Sequence, residues 1–290
     1  MKIAIYGKSN NDGHIDALRR LMALVVNAAG DDTVVIHPKF HRFLSEKLPE
    51  AMPPKVCVAA EDDDFAADIA LSIGGDGTFL RTVRYVAHRG IAVLGINTGH
   101  LGYLADLNVD EAIAMEHLPY RFKREHRTLL RVEAEGLPEH FWPYALNEVA
   151  VLKTDTSSML SAQTSVNGTP LTTYLADGLI IATPTGSTGY NLSVGGPIIA
   201  PGTQALVLSP VAPHSLTMRP MVVDDRSVIE VTTDARSDAY LLSLDGNSVT
   251  MPGGSTVKVS RAEFTVAVVQ RAGHHFAATL RNKLLWGQSR

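Results

Sequence analysis

Three glycines around one acid, Gly74-Gly75-Asp76-Gly77, constrain the fold of this chain more than any other feature. This glycine loop directly follows the apolar run 69–73, and residues 78–87 after it carry apolar side chains at helical spacing. Glycine allows positive φ and lets a ligand approach the backbone closely. The pattern therefore predicts a strand, a tight loop and a helix, an arrangement that directs free N–H groups and a helix dipole at phosphate.

The acid in the loop narrows the chemistry. Asp76 would repel phosphate unless a metal ion or a reacting hydroxyl lay beside it, so phosphoryl transfer is the first hypothesis. An ordinary strand-to-helix turn is the alternative. The loop lacks the Gly-Lys-[Ser/Thr] ending of a Walker loop, and it is not the Gly-x-Gly-x-x-Gly dinucleotide fingerprint.

Composition excludes several classes of protein. The 290 residues are 45% hydrophobic and 19% charged, which is typical of a globular protein with a sizeable core. A net charge of −4 gives no basic footprint for nucleic acid, and no apolar run approaches the length of a membrane span. The single Cys57, which we expect to be a buried small hydrophobe, suits a reducing compartment. We expect a cytoplasmic enzyme with neither nucleic acid nor membrane as a partner.

The pattern of apolar residues predicts two domains and a tail. Residues 1–121 alternate strands with helices and predict a Rossmann-like α/β domain. Residues 122–270 alternate in β fashion and predict a mainly antiparallel β-sandwich. The C-terminal segment 271–290 is expected to be helical and to pack back on the first domain. Strands are expected at 2–6, 34–36, 55–59, 68–73, 91–96 and 179–182, and a helix at 12–29.

Two polar residues interrupt an apolar stretch at Asn147-Glu148. An adjacent amide and carboxylate can hold a ribose diol by donating and accepting hydrogen bonds together. The alternative is a half-buried strand in which Glu148 points outward and Asn147 forms a bulge.

A dense set of hydroxyls and glycines follows the predicted strand 179–182 and extends to Ile198. Hydrogen-bonding groups are more frequent there than a connector needs, and Tyr190 offers an aromatic face for a base. The alternative is a polar Ω-loop.

Together these motifs resemble the NAD kinase family of bacteria. The glycine loop with Thr78 is shared with diacylglycerol-type lipid kinases and phosphofructokinases, whereas the block from Asp177 to Ile198 is more specific to NAD kinases. The resemblance covers the chain from about Ile69 to its end. The chain has Gly189 where the family usually has alanine, and Leu175 where many members have arginine.

The resemblance implies roles for residues of the first domain. Asp76 matches the catalytic base, and Gly77 matches the neighbouring residue whose backbone contacts the nucleotide. Arg81 matches another position that contacts bound nucleotide. The residues that would cradle the donor phosphates are Gly74, Gly75, Gly77 and Thr78.

For the second domain, the resemblance implies contacts with NAD. Asn147 and Glu148 match the pair that grips a ribose, and Asp177 matches an acid that faces the nicotinamide half. The other expected contacts, around adenine and its ribose or elsewhere on the dinucleotide, are Thr188, Gly189, Tyr190, Asn191, Leu192, Ser193, Ala212 and Asn247.

The implied reaction transfers the γ-phosphoryl group of ATP to the 2′-hydroxyl of the adenosine ribose of NAD. Mg²⁺, or another divalent cation, would accompany ATP and be held by its phosphates, so no metal ligand is assigned. The family also implies a homodimer or homotetramer in which a neighbouring subunit completes the site. A lipid or sugar kinase with the same glycine loop and a non-catalytic dinucleotide sensor are the competing hypotheses.

Overall fold

The computed structural model describes residues 1–8, 12–99, 102–105, 107–114, 123–155, 159–234, 238–270 and 275–284. The chain divides into two units, Met1–His126 with Val266–Arg290, and Arg127–Thr265. The domain boundaries predicted between residues 121 and 122 and between 270 and 271 involve residues outside the described ranges.

Strands and helices alternate early in the chain, and strands dominate later. The strands of the described residues are β1 (Ile3–Gly7), β2 (Val34–Ile36), β3 (Val56–Val58), β4 (Ile69–Ile73), β5 (Ala92–Asn97), β6 (Leu107–Asn108), β7 (Lys123–Ala134), β8 (Tyr144–Ala145), β9 (Glu148–Lys153), β10 (Leu160–Val166), β11 (Thr169–Ala176), β12 (Gly178–Ala182), β13 (Ala205–Val211), β14 (Met221–Asp224), β15 (Ile229–Thr233), β16 (Ala239–Leu244), β17 (Asn247–Pro252) and β18 (Thr256–Gln270). The helices are α1 (Ile15–Ala29), α2 (Pro38–Lys47), α3 (Asp76–Val86), α4 (Val109–Ala114), α5 (Tyr190–Ser193) and α6 (Phe276–Leu284). None of these helices is both long and apolar enough to cross a membrane.

The first unit is built on a parallel sheet in the order β3-β2-β1-β4-β5. Every residue of β1, β4 and β5 is buried, as expected of parallel strands that helices cover on both faces. The predicted N-terminal α/β domain is confirmed. Because β4 and β5 are parallel neighbours, the loops that follow Ile73 and Asn97 leave the same edge of the sheet.

Two features of this unit differ from expectation. Helix α2 has no counterpart among the predicted elements, although Pro38 at its first turn and the buried Phe40, Phe43 and Leu44 form a helical signal. Cys57 is exposed rather than buried. The reason is that β3 forms the edge of the sheet, where only one side of a strand is covered.

The second unit is an antiparallel β-sandwich. One sheet contains β11-β10-β15-β18, with β7 beside β18, and the other has the order β14-β13-β12-β9-β16-β17. Side chains of both sheets form one core, among them Leu130, Val151, Ile181, Val231 and Leu242. The predicted C-terminal β-sandwich is confirmed.

Strand β9 sets the geometry of the second unit's polar loops. Glu148 at its start pairs with Ala182 at the end of β12, and Val149 pairs with Leu244 at the end of β16. The loops that follow Ala182 and Leu244 therefore lie beside Asn147 and Glu148.

Candidate active site

The glycine loop joins β4 to α3 through one residue that requires glycine. Gly74 has φ +151°, and a Cβ atom there would lie 2.5 Å from Thr78 Oγ1. Its N–H donates to the Ile96 carbonyl at 2.9 Å, which ties the loop to β5. The carbonyl of Gly75 then accepts the N–H groups of Thr78 and Phe79 and begins the helix.

The start of α3 presents donors to a ligand. Thr78 is the first residue whose N–H reaches the Gly75 carbonyl, so the helix itself leaves the N–H groups of Asp76 and Gly77 without a partner. Gly77 is exposed and Asp76 is partly buried. The positive end of the helix dipole adds to the attraction for an anion.

Asp76 is held by the backbone of a segment that sequence reasoning did not identify. Its Oδ2 accepts the N–H of Tyr103 at 2.7 Å, and its Oδ1 accepts those of Leu104 and Ala105 at 3.0 and 3.3 Å. A carboxylate has about four acceptor positions, two on each oxygen. The described residues use three of these positions, and among them Oδ2 keeps one for a further donor.

Gly102 makes this arrangement possible. A Cβ atom at that position would lie 1.9 Å from Asp76 Oδ1, so no other residue fits without displacing the carboxylate. The sequence signal was that residues 98–105 follow β5, the parallel neighbour of β4, and include glycine. The carboxyl ends of neighbouring parallel strands form one edge, where ligands commonly bind.

Thr78 and Arg81, the two other side chains of the first unit that were predicted to contact the nucleotide, differ from each other in exposure. Thr78 is buried, with its hydroxyl toward Gly74. Arg81 is exposed on α3, one turn beyond the loop, and its guanidinium interacts with the hydroxyl of Tyr6. Burial raises the pKa of Tyr6, and Arg81 acts in the opposite direction.

In the second unit, the backbone N–H groups of Asn147 and Glu148 donate to one carboxylate. Asp245 Oδ2 accepts the N–H of Leu146 at 2.7 Å, and its Oδ1 accepts those of Asn147 and Glu148 at 2.8 and 3.1 Å. Sequence reasoning assigned no role to Asp245. An Asp-Gly pair is a common hairpin turn, which hid this second role.

The side chains of Asn147 and Glu148 present acceptors that the described residues do not satisfy. Asn147 Oδ1 and Glu148 Oε2 are buried and have no hydrogen-bond partner there. Gly186 and Gly189 allow the next loop to approach, since Cβ atoms would lie 2.0 Å from the Asn147 carbonyl oxygen and 2.9 Å from Glu148 Oε2. Buried acceptors without donors are costly, so this pair is suited to a ligand that brings hydroxyl groups.

Burial and charge both act on Glu148. Desolvation raises its pKa to about 7, the nearby Asp245 carboxylate adds to the rise, and the Tyr190 N–H bonded to Glu148 opposes it. Burial likewise raises the pKa of Asp245, against the effect of its three N–H bonds. Because burial, reinforced by the Asp245 carboxylate, raises the pKa of Glu148 to about 7, the protonation of Glu148 changes near neutral pH.

The loop of residues 183–199 has an inner and an outer set of side chains. Asn191 is fully buried, donates to the Ser187 and Pro197 carbonyls and accepts from the Ser209 hydroxyl. Thr188 and Leu192 are partly exposed, Ser193 is exposed, and Tyr190 is 39% exposed. Tyr190 therefore offers its ring to a ligand, whereas the polar atoms of Asn191 hold the loop together.

Asp177 and Ala212 lie together, at the other end of the sheet from Glu148. The N–H of Asp177 donates to the Val211 carbonyl, its carboxylate pairs with Lys153 at 2.6 Å, and Ala212 has the rare φ of +44°. Gly178 pairs with the fifth residue of β9, whereas Ala182 pairs with the first. At about 3.4 Å per residue, this separation along the strands is about 14 Å or more. Asn247, exposed at the start of β17, lies at the Glu148 end.

The described residues contain no group of three or more His, Cys, Asp or Glu side chains placed to hold a metal ion.

Two protein-family models match the chain. The ATP-NAD kinase N-terminal domain matches residues 45–119, and the ATP-NAD kinase C-terminal domain matches residues 146–271. The first match contains Asp76 and its partners at 103–105, and the second contains Asn147, Glu148 and Asp245.

Full-length relatives carry the same name. The NAD kinase of Bacteroides fragilis is 43% identical over 99% of this chain and 98% of its own length. The NAD kinase of Porphyromonas gingivalis is 41% identical over 99% of this chain and 98% of its own length. The NAD kinase of Flavobacterium johnsoniae is 38% identical over 100% of this chain and 99% of its own length.

Solved structures share the fold. A yeast NADH kinase in complex with NADH has a TM-score of 0.86 at 23% identity, covering all of this chain and 89% of the other. An NAD kinase from Archaeoglobus fulgidus in complex with ATP has a TM-score of 0.70 at 25% identity, covering 98% and 97%.

The raised pKa of Glu148 predicts a pH-dependent stability. A carboxyl group whose folded pKa lies above its unfolded value binds protons more tightly when folded, so its contribution is most favourable at low pH and is lost as pH rises through about 7. Glu148→Gln removes the charge and keeps an acceptor for Tyr190. We expect the variant to exceed the parent in free energy of unfolding by on the order of 2 kcal/mol at pH 8, and the gap to narrow toward pH 4.5.

Thermal and denaturant unfolding at pH 5 and pH 8 measure this difference. Glu139→Gln is the matched control, because Glu139 is exposed and its substitution should change stability little at either pH. A Glu148→Gln variant less stable than the parent at pH 8 would contradict the assigned burial cost.

Proposed function

Because the chain belongs to the NAD kinase family, we propose that Asp76 accepts the proton of the NAD ribose 2′-hydroxyl as ATP phosphorylates that oxygen. The reaction of the family converts NAD and ATP to NADP and ADP. The observation that carries this role is the open acceptor position on Asp76 Oδ2, on a carboxylate fixed by three N–H groups. A fixed acceptor orients the lone pair of the attacking hydroxyl.

Phosphoryl transfer needs alignment more than covalent help. The 2′-oxygen forms a bond to the γ-phosphorus, the bond from that phosphorus to the β–γ bridging oxygen breaks, and the proton passes to Asp76. The transition state is loose, so the hydroxyl loses its proton late and a weak base suffices. We assign the donor phosphates to the N–H groups at the start of α3.

A divalent cation accompanies ATP in this proposal. When bound, it would neutralise charge on the triphosphate, with phosphate oxygens and water as its main ligands. The glycine loop fits a cation that is held by phosphate oxygens and water. Its N–H groups suit phosphate, and the one open acceptor position of Asp76 is assigned to the ribose hydroxyl.

In the second unit, we assign Asn147 and Glu148 to a ribose diol of NAD. Their two unpartnered oxygens match the two donors of a diol. The exposed face of Tyr190 would stack on adenine, with Thr188 and Ser193 beside it. Asn191 would act through the shape of the loop, given that its amide is used internally.

The distance of Asp177 and Ala212 from Glu148 supports a homo-oligomer. Residues expected to contact one dinucleotide lie at both ends of β9, and Asp177 with Ala212 forms a separate group at the Lys153 end. We propose that this group completes the site of a neighbouring copy of the chain. We also propose a cytoplasmic location, because the sequence has a single cysteine and cannot form an internal disulfide.

Asp76→Asn tests the base. We expect kcat to fall at least about 100-fold, because the amide cannot accept the proton and its N–H would oppose one of the backbone N–H groups of residues 103–105. The dissociation constant for NAD should change little, because the ribose and adenine contacts are assigned to other residues. Steady-state kinetics and calorimetric titration with NAD provide the two values. Retention of full kcat would refute the assignment of Asp76 as the base. Loss of NAD binding together with kcat would show that Asp76 acts only by holding residues 103–105 in place.

Gly102→Ala tests the geometry while leaving the acid intact. The new methyl group would overlap Asp76 Oδ1, so the carboxylate must shift and kcat should fall at least about tenfold. Gly99→Ala in the same loop is the control, since its Cβ would find its nearest neighbour 3.9 Å away. Equal kcat values for the Gly102 and Gly99 variants would show that the position of Asp76 is not critical.

Co-expression tests whether two copies share a site. Asp76→Asn and Asp177→Ala should each be impaired alone, whereas mixed oligomers should regain activity because some sites combine an intact Asp76 with an intact Asp177. NADP formation by purified mixed and unmixed oligomers is compared. Activity no higher than the sum of the separate variants would place both residues in the site of one copy.

A further inference from the structure

A two-residue turn connects β16 and β17, and its backbone is unusual. Leu244 pairs with Asn247, so Asp245 and Gly246 form the whole connection. Their φ angles are +49° and +80°. Two consecutive positive values define the hairpin turn for which Asn-Gly and Asp-Gly are the preferred pairs. The turn alone would therefore accept asparagine as readily as aspartate.

The side chain of Asp245 does not serve this turn. Both of its oxygens leave the hairpin and accept the N–H groups of Leu146, Asn147 and Glu148. The backbone N–H of Asp245 also donates to the Glu148 carbonyl at 3.1 Å. Asp245 thus makes four hydrogen bonds, three accepted by its side chain and one donated by its backbone, to the three-residue segment that carries the proposed ribose contacts.

The segment has a second anchor on the side of the 183–199 loop. Thr183 N–H donates to the Asn147 carbonyl at 2.9 Å, and the Thr183 hydroxyl donates to the Leu146 carbonyl at 2.6 Å. Carbonyl groups of the segment are therefore held by Thr183, while its N–H groups are held by Asp245. With its backbone fixed on both sides, the segment can direct Asn147 Oδ1 and Glu148 Oε2 without using either atom internally.

We propose that Asp245 is a positioning residue for NAD: its carboxylate fixes the backbone of residues 146–148 so that Asn147 and Glu148 meet the ribose hydroxyls. The inference rests on the proposed function of Asn147 and Glu148. It adds a residue that does not itself contact the substrate, and it explains why an acid occupies a position where the turn requires none. Asn247 follows Asp245 by two residues, directly after the turn, so one hairpin supplies both the anchor and a predicted contact.

Only a carboxylate satisfies this segment. Three N–H groups converge on two oxygens, and neither oxygen can be exchanged for a donor without opposing one of them. In Asp245→Asn, an amide N–H would face a backbone N–H, while the turn itself would be preserved because asparagine tolerates positive φ. The substitution therefore separates the role of the carboxylate from that of the turn.

The test measures NAD affinity of the full chain by calorimetry for the parent, Asp245→Asn, Asn147→Ala and the double variant. Loss of a buried hydrogen-bond partner should raise the dissociation constant about tenfold in each single variant. If Asp245 acts through Asn147 and its neighbour, the double variant should be little weaker than the worse single variant rather than about 100-fold weaker than the parent. KM for NAD should rise and KM for ATP should stay unchanged.

Asp224→Asn is the matched control. Asp224 is exposed at the end of β14, and one of its oxygens accepts the Arg226 N–H at 2.8 Å, so it is also an aspartate bound to a backbone N–H. We expect its substitution to leave NAD affinity unchanged. Melting temperatures of all variants separate affinity from folding.

Each other outcome overturns the inference. Wild-type affinity in Asp245→Asn, with weakened binding in Asn147→Ala, overturns the positioning role and leaves the proposed ribose contacts standing. Additive losses also overturn it, because they show two independent effects. Unchanged affinity in Asn147→Ala overturns both the inference and the proposed role of that residue. If Asp245→Asn does not fold, Asp245→Gly, which retains positive φ, replaces it in the same cycle, and failure of both assigns Asp245 to folding alone.

Discussion

A carboxylate bound by the N–H groups of three consecutive residues recurs in both units of this protein. Asp76 accepts from residues 103–105, and Asp245 accepts from residues 146–148. In each case a single acid fixes a stretch of backbone that is not a continuous part of a helix or strand. Hydrogen bonds to an ionised acceptor are stronger than those between neutral groups, which suits them to hold loops in one conformation. The proposed chemistry depends on the precision of these two arrangements.

The two acids differ in what remains open. Asp76 keeps an acceptor position of its own, so it is suited to receive a proton. At Asp245, the open acceptors belong instead to the residues that it binds, as Asn147 Oδ1 and Glu148 Oε2. The cost of this second arrangement appears in Glu148, whose pKa rises to about 7 because a buried carboxyl lies beside another acid. A site that keeps unpartnered acceptors is less stable than one that satisfies them, and a bound diol would remove that cost.

Local patterns in the sequence were sufficient to predict the strand, loop and helix around Asp76 and the α/β and β-sandwich domains. Each depends on residues close together in the chain. The ribose contacts assigned to the polar pair at 147–148 stay a prediction. The partners of the two acids were not predictable in this way. The contact of Asp76 with residues 103–105 joins two loops about 27 residues apart, and the need for glycine at position 102 appears only once the Oδ1 atom is placed. Asp245 lies almost 100 residues from its partners, and its Asp-Gly pair reads as a hairpin turn.

The decisive measurement for the role of Asp76 is the structure of a complex with NAD and a non-hydrolysable ATP analogue. We expect the 2′-oxygen of the adenosine ribose to lie about 2.6–3.2 Å from Asp76 Oδ2, with the three N–H bonds to that carboxylate retained. A bound dinucleotide whose 2′-oxygen faces a different side chain, with Asp76 still satisfied only by the backbone and water, would contradict that role.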